Sequence, residues 1–259
     1  MSIVLDAPAW TRFSSAKPSC ERISRTKRRP QWPTWGRLIV RMPDRVLVKI
    51  CGLTRRGDVR DATRLGADYV GVVLSEGFDR TVDEREAASL LEGVDAIKVA
   101  VLVDEPPDRA AGLARLVEAD VIQLHGDEEP GDLSALRSLG RWKLWKVVRP
   151  RTEEELERAV EEYGEVVDGI LVEGWREGMV GGSGAEVGLD PRSVRTLVPA
   201  HLVFVLAGGL TPSTVSQSIE SFDPDVVDVS SGVERIRGQK DPELVGRFIE
   251  SARDASNAT

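Results

Sequence analysis

The sequence predicts an α/β protein, a single-domain (β/α)8 barrel spanning residues 42–259. Three observations carry this. Eight short apolar runs alternate with eight amphipathic segments between Val46 and Arg253. The runs are nearly continuous in Val, Ile and Leu, as strands covered on both faces require. Eight such units favour a closed parallel TIM barrel over an open doubly wound sheet.

The apolar runs are Val46–Cys51, Tyr69–Leu74, Ile97–Val103, Val121–Leu124, Lys143–Val148, Gly169–Glu173, Leu202–Ala207 and Val226–Val229. The segments between them predict helices over Asp58–Leu65, Asp83–Leu91, Pro107–Glu118, Glu128–Leu139, Thr152–Tyr163, Pro191–Leu197, Pro212–Ser221 and Pro242–Arg253. Asp190-Pro191, Thr211-Pro212 and Asp241-Pro242 each pair a capping residue with a proline suited to the first helical position.

Charge divides the chain. Residues 1–41 hold nine Lys or Arg against Asp6 and Glu21, a net of +7; the chain carries −8, which leaves −15 for residues 42–259. The basic segment reads as a disordered extension or a mis-assigned start ahead of Met42. The acidic part has five lysines (Lys49, Lys98, Lys143, Lys146 and Lys240), a balance that keeps a surface hydrated where salt screens charge strongly. No nucleic-acid partner is expected. Neither a long apolar span nor a signal-like apolar core occurs, so no membrane partner is expected either. Cys20 and Cys51 lie in regions of different character, which speaks against a disulfide and for a reducing, cytoplasmic setting.

In such barrels chemistry sits at the C-terminal ends of the strands. The first run ends Lys49-Ile50-Cys51-Gly52. Cys51 is a candidate base if nearby positive charge, such as Lys49 two residues earlier, lowers its pKa; it reads equally as a small buried core residue. The sixth run ends on Glu173, a candidate general acid if burial raises its pKa, or else a solvated loop acid. Gln123 and His125 end the fourth run; His125 could orient a loop or a neighbour rather than react. Arg80, after the second run, is a candidate clamp for an anion or a surface arginine.

The seventh and eighth runs end Ala207-Gly208-Gly209 and Asp228-Val229-Ser230-Ser231-Gly232. Side-by-side loops with bare backbone amides form an anion nest, so Gly208, Gly209, Ser230, Ser231 and Gly232 predict a phosphate site. The stretch Gly181-Gly182-Ser183-Gly184 reads as a loop able to close over the ligand, with Gly182 and Ser183 near the phosphate.

Collinear motifs make the chain similar to the phosphoribosylanthranilate isomerases of tryptophan biosynthesis. They are VKICGLT (48–54), GADYVGVVL (66–74), VLVDEPP (101–107), VIQLHGDE (121–128), GGSG (181–184), LAGGLTPSTV (206–215) and VDVSSGVE (227–234), with KD at 240–241. The resemblance implies an Amadori rearrangement of a small-molecule substrate, N-(5-phosphoribosyl)anthranilate, with no cofactor and no metal, by a monomer or homodimer. It implies Cys51 as base, Arg80 as receiver of the anthranilate carboxylate and Asp228 as a substrate contact. The family's acid is an aspartate at the end of strand six, where this chain has Glu173, and the family's FDW is replaced by Val187-Gly188-Leu189-Asp190. A paralogue that binds a sugar phosphate without turnover is the alternative. A sugar-phosphate isomerase of histidine biosynthesis fits less well, because those use paired aspartates and Cys51 stands at strand one.

Overall fold

A computed structural model of the chain describes residues 45–174 and 186–257. The basic segment 1–41, Cys20 and the glycine-rich stretch with Gly182 and Ser183 lie outside the described residues.

Eight parallel strands close into a barrel in sequence order, β1 pairing with β8. They are β1 (Leu47–Ile50), β2 (Tyr69–Val73), β3 (Ile97–Leu102), β4 (Val121–Leu124), β5 (Lys143–Val148), β6 (Gly169–Glu173), β7 (Val203–Ala207) and β8 (Val226–Val229). The helices α1 (Arg56–Leu65), α2 (Glu84–Leu91), α3 (Pro107–Leu116), α4 (Pro130–Leu139), α5 (Glu153–Tyr163), α6 (Pro191–Leu197), α7 (Val215–Phe222) and α8 (Pro242–Asn257) follow the strands in turn. Among the described residues no helix is long and apolar enough to cross a membrane.

All eight expected strands and helices form, with ends shifted by a few residues. Asp190 and Asp241 cap as expected, accepting from the Ser193 and Glu243 amides at 2.9 Å. The seventh helix departs from expectation. It starts at Val215, not Pro212, because the Thr214 hydroxyl accepts from the Thr211 amide at 3.0 Å and closes a turn first. A short hairpin, β9 (Glu234–Ile236) with β10 (Gln239–Lys240), also lies between β8 and α8.

Strand residues alternate between two cores. Val48, Ile50, Val70, Val72, Ile122 and Phe204 face the helices and belong to the main apolar cluster. The other register fills the barrel. There Tyr69 and Trp145 stack at 5.1 Å, tilted by 52°. Continued to the strand ends, that inner register reaches Cys51, Gln123, His125, Glu173 and Asp228. The fold thus converts a period of two into a shared mouth.

At the opposite end one device repeats four times. Asp68, Asp120, Asp168 and Asp225, each just before an even-numbered strand, accept from the amides of Val48, Lys98, Leu144 and Phe204 near the start of the preceding strand, at 2.8–2.9 Å. Each clamps one strand–helix–strand unit. Asp168 also takes Arg137 and Lys143, both at 2.9 Å. Asp168→Ala is expected to cost about 1–3 kcal/mol, chiefly by stranding the Leu144 amide, since the partly exposed Arg137 and Lys143 add little. Calorimetry should show the lowered Tm, while kcat stays within about twofold, because this face of a barrel serves stability.

Candidate active site

The loops above the strands enclose a cavity of about 160 Å³. Cys51, Arg80, Gln123, His125, Glu173 and Asp228 all line it, together with Gly208, Gly209, Ser230, Ser231 and Gly232. Of the residues singled out in the sequence, only Gly182 and Ser183 are missing, being outside the described residues.

Cys51 is buried and is a free thiol. Below it, the fully buried Lys49 donates from Nζ to Asp228 Oδ2 at 2.8 Å. Lys49 does pull the thiol's pKa down, but not far enough to depress it. Burial, seconded by the Asp228 charge, pushes the Cys51 thiol up and outweighs Lys49 and Lys240. Asp228 has already committed its charge to Lys49, and this leaves little net positive field for the sulfur.

Glu173 departs in the opposite sense. Burial does press its carboxyl upward, but His125 and Arg149 more than reverse this and hold it down at about 2. Arg149 Nε donates to Glu173 Oε2 at 2.9 Å, and its Nη2 donates to the His125 carbonyl at 3.2 Å. The Gln123 amide nitrogen stands 3.1 Å from His125 Nδ1, and His125 Nε2 is 3.5 Å from Glu173 Oε2. With Gln123 donating, Nδ1 accepts and Nε2 carries the hydrogen toward Glu173. His125 is thereby placed to hold the carboxylate, one of the readings the sequence left open.

Sequence reasoning passed over Arg149 and Glu234. Arg149 had a signal: Trp145, Val147 and Arg149 continue the inner register of β5. Glu234 closes the VDVSSGVE motif, but no periodicity marks its short, charged hairpin. It accepts from Arg80 Nε and Nη2, each at 2.8 Å, so the expected anion clamp is already paired.

The far wall is built from backbone. Gly208 and Gly209 have φ of 93° and 65°, the left-handed region that suits glycine. A Cβ at Gly232 would stand 1.9 Å from the Leu210 carbonyl oxygen, so glycine alone lets the loops after β7 and β8 close together. Two buried acceptors, Gln123 Oε1 and Asp228 Oδ1, have no hydrogen-bond partner among the described residues. Such groups are costly to leave unsatisfied and mark where a ligand's hydroxyls belong.

A family model described as N-(5'phosphoribosyl)anthranilate (PRA) isomerase matches residues 48–251. The chain belongs to that family. An N-(5'-phosphoribosyl)anthranilate isomerase of Rubrobacter xylanophilus is 38% identical over 209 residues, covering 80% of this chain and 98% of the relative. The Halorubrum lacusprofundi enzyme of the same name is 37% identical, over 79% of this chain and 95% of its own. Among solved structures, the Thermotoga maritima phosphoribosyl anthranilate isomerase superposes with a TM-score of 0.72 at 30% identity, covering 81% of this chain and 99% of that one. A phosphoribosyl anthranilate isomerase holding reduced 1-(o-carboxyphenylamino)-1-deoxyribulose 5-phosphate matches with a TM-score of 0.69 over the same shares, also at 30% identity. Membership in the family makes the chain an isomerase of the aldose–ketose kind.

Proposed function

We propose that this chain converts N-(5-phosphoribosyl)anthranilate to 1-(2-carboxyphenylamino)-1-deoxyribulose 5-phosphate, without cofactor, in tryptophan biosynthesis. The observation that carries the reading is the meeting of a thiol, Cys51, and a carboxyl, Glu173, in one cavity walled by two glycine loops. Family membership supports it.

The 5′-phosphate sits on the amides of Gly208, Gly209, Ser231 and Gly232, beside Ser230. Ribose hydroxyls donate to Gln123 Oε1 and Asp228 Oδ1. Arg80 takes the anthranilate carboxylate. Glu173, steadied by His125, protonates the furanose ring oxygen; the C1′–O bond breaks and leaves a protonated Schiff base. Cys51 then removes the C2′ proton, and the enolamine becomes the ketone as C1′ gains a proton and the C2′ hydroxyl releases one.

The pair needs a single proton. Before substrate binds it rests on sulfur, with the carboxylate ionised against Arg149. Moving it from Cys51 to Glu173, directly or along substrate hydroxyls, creates the acid and the base together. We assign the protein to the cytoplasm, as a monomer or homodimer. The reduced, buried Cys51 suits that compartment, and a Thermotoga maritima relative is described as dimeric with generated monomers.

The test is turnover by purified protein in chelator-treated buffer, followed by loss of the substrate's anthranilate fluorescence. Binding of the substrate with no turnover would sink the reading. Gly232→Ala is expected to raise KM by about tenfold or more, because forcing the two loops apart misplaces the phosphate; steady-state kinetics measure it.

A further inference from the structure

Arg80 is held at both ends of its guanidinium fork. Nε donates to Glu234 Oε1 and Nη2 to Glu234 Oε2, each at 2.8 Å. A second cation shares that carboxylate: Lys240 Nζ lies 2.8 Å from Glu234 Oε1. The same ammonium bonds the Ser230 carbonyl at 3.0 Å and the Ser230 hydroxyl at 3.3 Å. Two cations therefore serve one carboxylate. Glu234 and Lys240 side chains are 5% and 1% exposed, whereas Arg80, at 14%, faces the cavity. Its chain crosses Gly52, where a Cβ would stand 2.5 Å from Arg80 Cδ, next to Cys51.

This stoichiometry decides how the cavity can accept an anionic ligand. Withdrawing one partner from a buried ion pair leaves the other charge uncompensated, which is strongly unfavourable. Lys49 cannot leave Asp228 on those terms, since Asp228 Oδ1 already lacks a partner among the described residues. Arg80 can leave Glu234, because Lys240 remains on it. Burial presses the Glu234 carboxyl toward neutrality, and Arg80 and Lys240 together hold it below the usual carboxylate range. Burial likewise draws Lys240 below the usual lysine range, against the pull of Glu234. Each is the other's standing partner. The fork of Arg80 fits an incoming carboxylate in the geometry it already makes with Glu234.

We propose that Glu234 is a positioning residue that holds Arg80 on a stand-in carboxylate, and that Lys240 keeps Glu234 compensated when Arg80 passes to the substrate's aromatic carboxylate. This rests on the reading of Arg80 given under the proposed function. Through Ser230, Lys240 also ties this exchange to the loop that takes the phosphate.

The experiment compares two phosphorylated ligands by calorimetry on the full chain. One is reduced 1-(2-carboxyphenylamino)-1-deoxyribulose 5-phosphate; the other is the same molecule without the ring carboxylate. The ratio of their Kd values isolates the carboxylate, because changes in phosphate binding act on both. Wild type should prefer the carboxylated ligand. Glu234→Gln should enlarge that preference by about three- to tenfold, since Arg80 is released from its competitor. Lys240→Met should shrink it by a similar factor, because Glu234 then has Arg80 alone. The double variant should return to the wild-type preference or exceed it. A Glu234→Gln preference equal to or below wild type overturns the exchange, and that variant decides even if Lys240→Met does not fold. A wild-type chain with no preference would instead remove the role given to Arg80.

Discussion

Cys51→Ala is expected to lower kcat by about 10³-fold, within the range general acid–base groups supply. The loss should fall on kcat and not on KM, because the thiol abstracts a proton from C2′ and holds no charged part of the substrate. The substitution removes one sulfur from a buried site, so the barrel should keep its Tm within a few degrees. A second feature separates this role from mere packing. Cys51→Ser keeps the shape but replaces the thiol with a hydroxyl, a far weaker acid, and it should be nearly as slow as alanine. The thiol's own pKa is pushed up by burial and by Asp228. Alkylation of Cys51 should therefore be slow at neutral pH, and bound substrate analogue should slow it further by filling the cavity. Turnover by Cys51→Ala at the wild-type rate would remove sulfur from the chemistry.

The barrel was legible because burial on both faces writes itself into each strand as an unbroken apolar run. Val121–Leu124, Lys143–Val148, Gly169–Glu173 and Val226–Val229 form as the sequence predicts them. Strand ends carry the site, so Cys51, Gln123 and Glu173 could be named from topology and the period of two, whereas Asp228 was named through the family resemblance. What could not be read is what each charged group would face. Lys49 looked like a cation for Cys51 and does act on it, but it also faces Asp228, a residue 179 positions away in sequence, whose charge and the burial of the thiol outweigh it. Glu173 looked like a carboxyl raised by burial, but β5 brings Arg149 to it. Ion pairing across a barrel depends on strand register, and single-strand patterns do not encode it. The hairpin of Glu234 and Lys240 was illegible for another reason: three residues pairing with two leave no periodicity to detect.

Glu173→Gln is expected to lower kcat by about 10²- to 10³-fold, since an amide cannot deliver the proton that opens the ring. KM should move less, as the phosphate and carboxylate contacts are elsewhere. The substitution also leaves Arg149 without its carboxylate at 2.9 Å, so stability must be read alongside rate. The two effects separate by pH. The folded carboxyl titrates at about 2, below its ordinary 4.5. A carboxyl depressed in this way lends its stabilisation in full above the unfolded pKa and loses it as pH falls toward the folded one. Wild type should therefore lose a share of its stability between about pH 4.5 and 2 that Glu173→Gln never had, and Tm plotted against pH should be flatter for the variant across that window. At neutral pH the variant should be folded and nearly inactive. Glu173→Asp keeps the acid but draws it one methylene back toward β6, away from Arg149. If it retains more activity than Gln while sharing its loss of Tm, then the carboxyl acts through its proton and Arg149 through its charge. Equal rates for Asp and Gln would mean that Glu173 serves only to hold Arg149 and His125 in place.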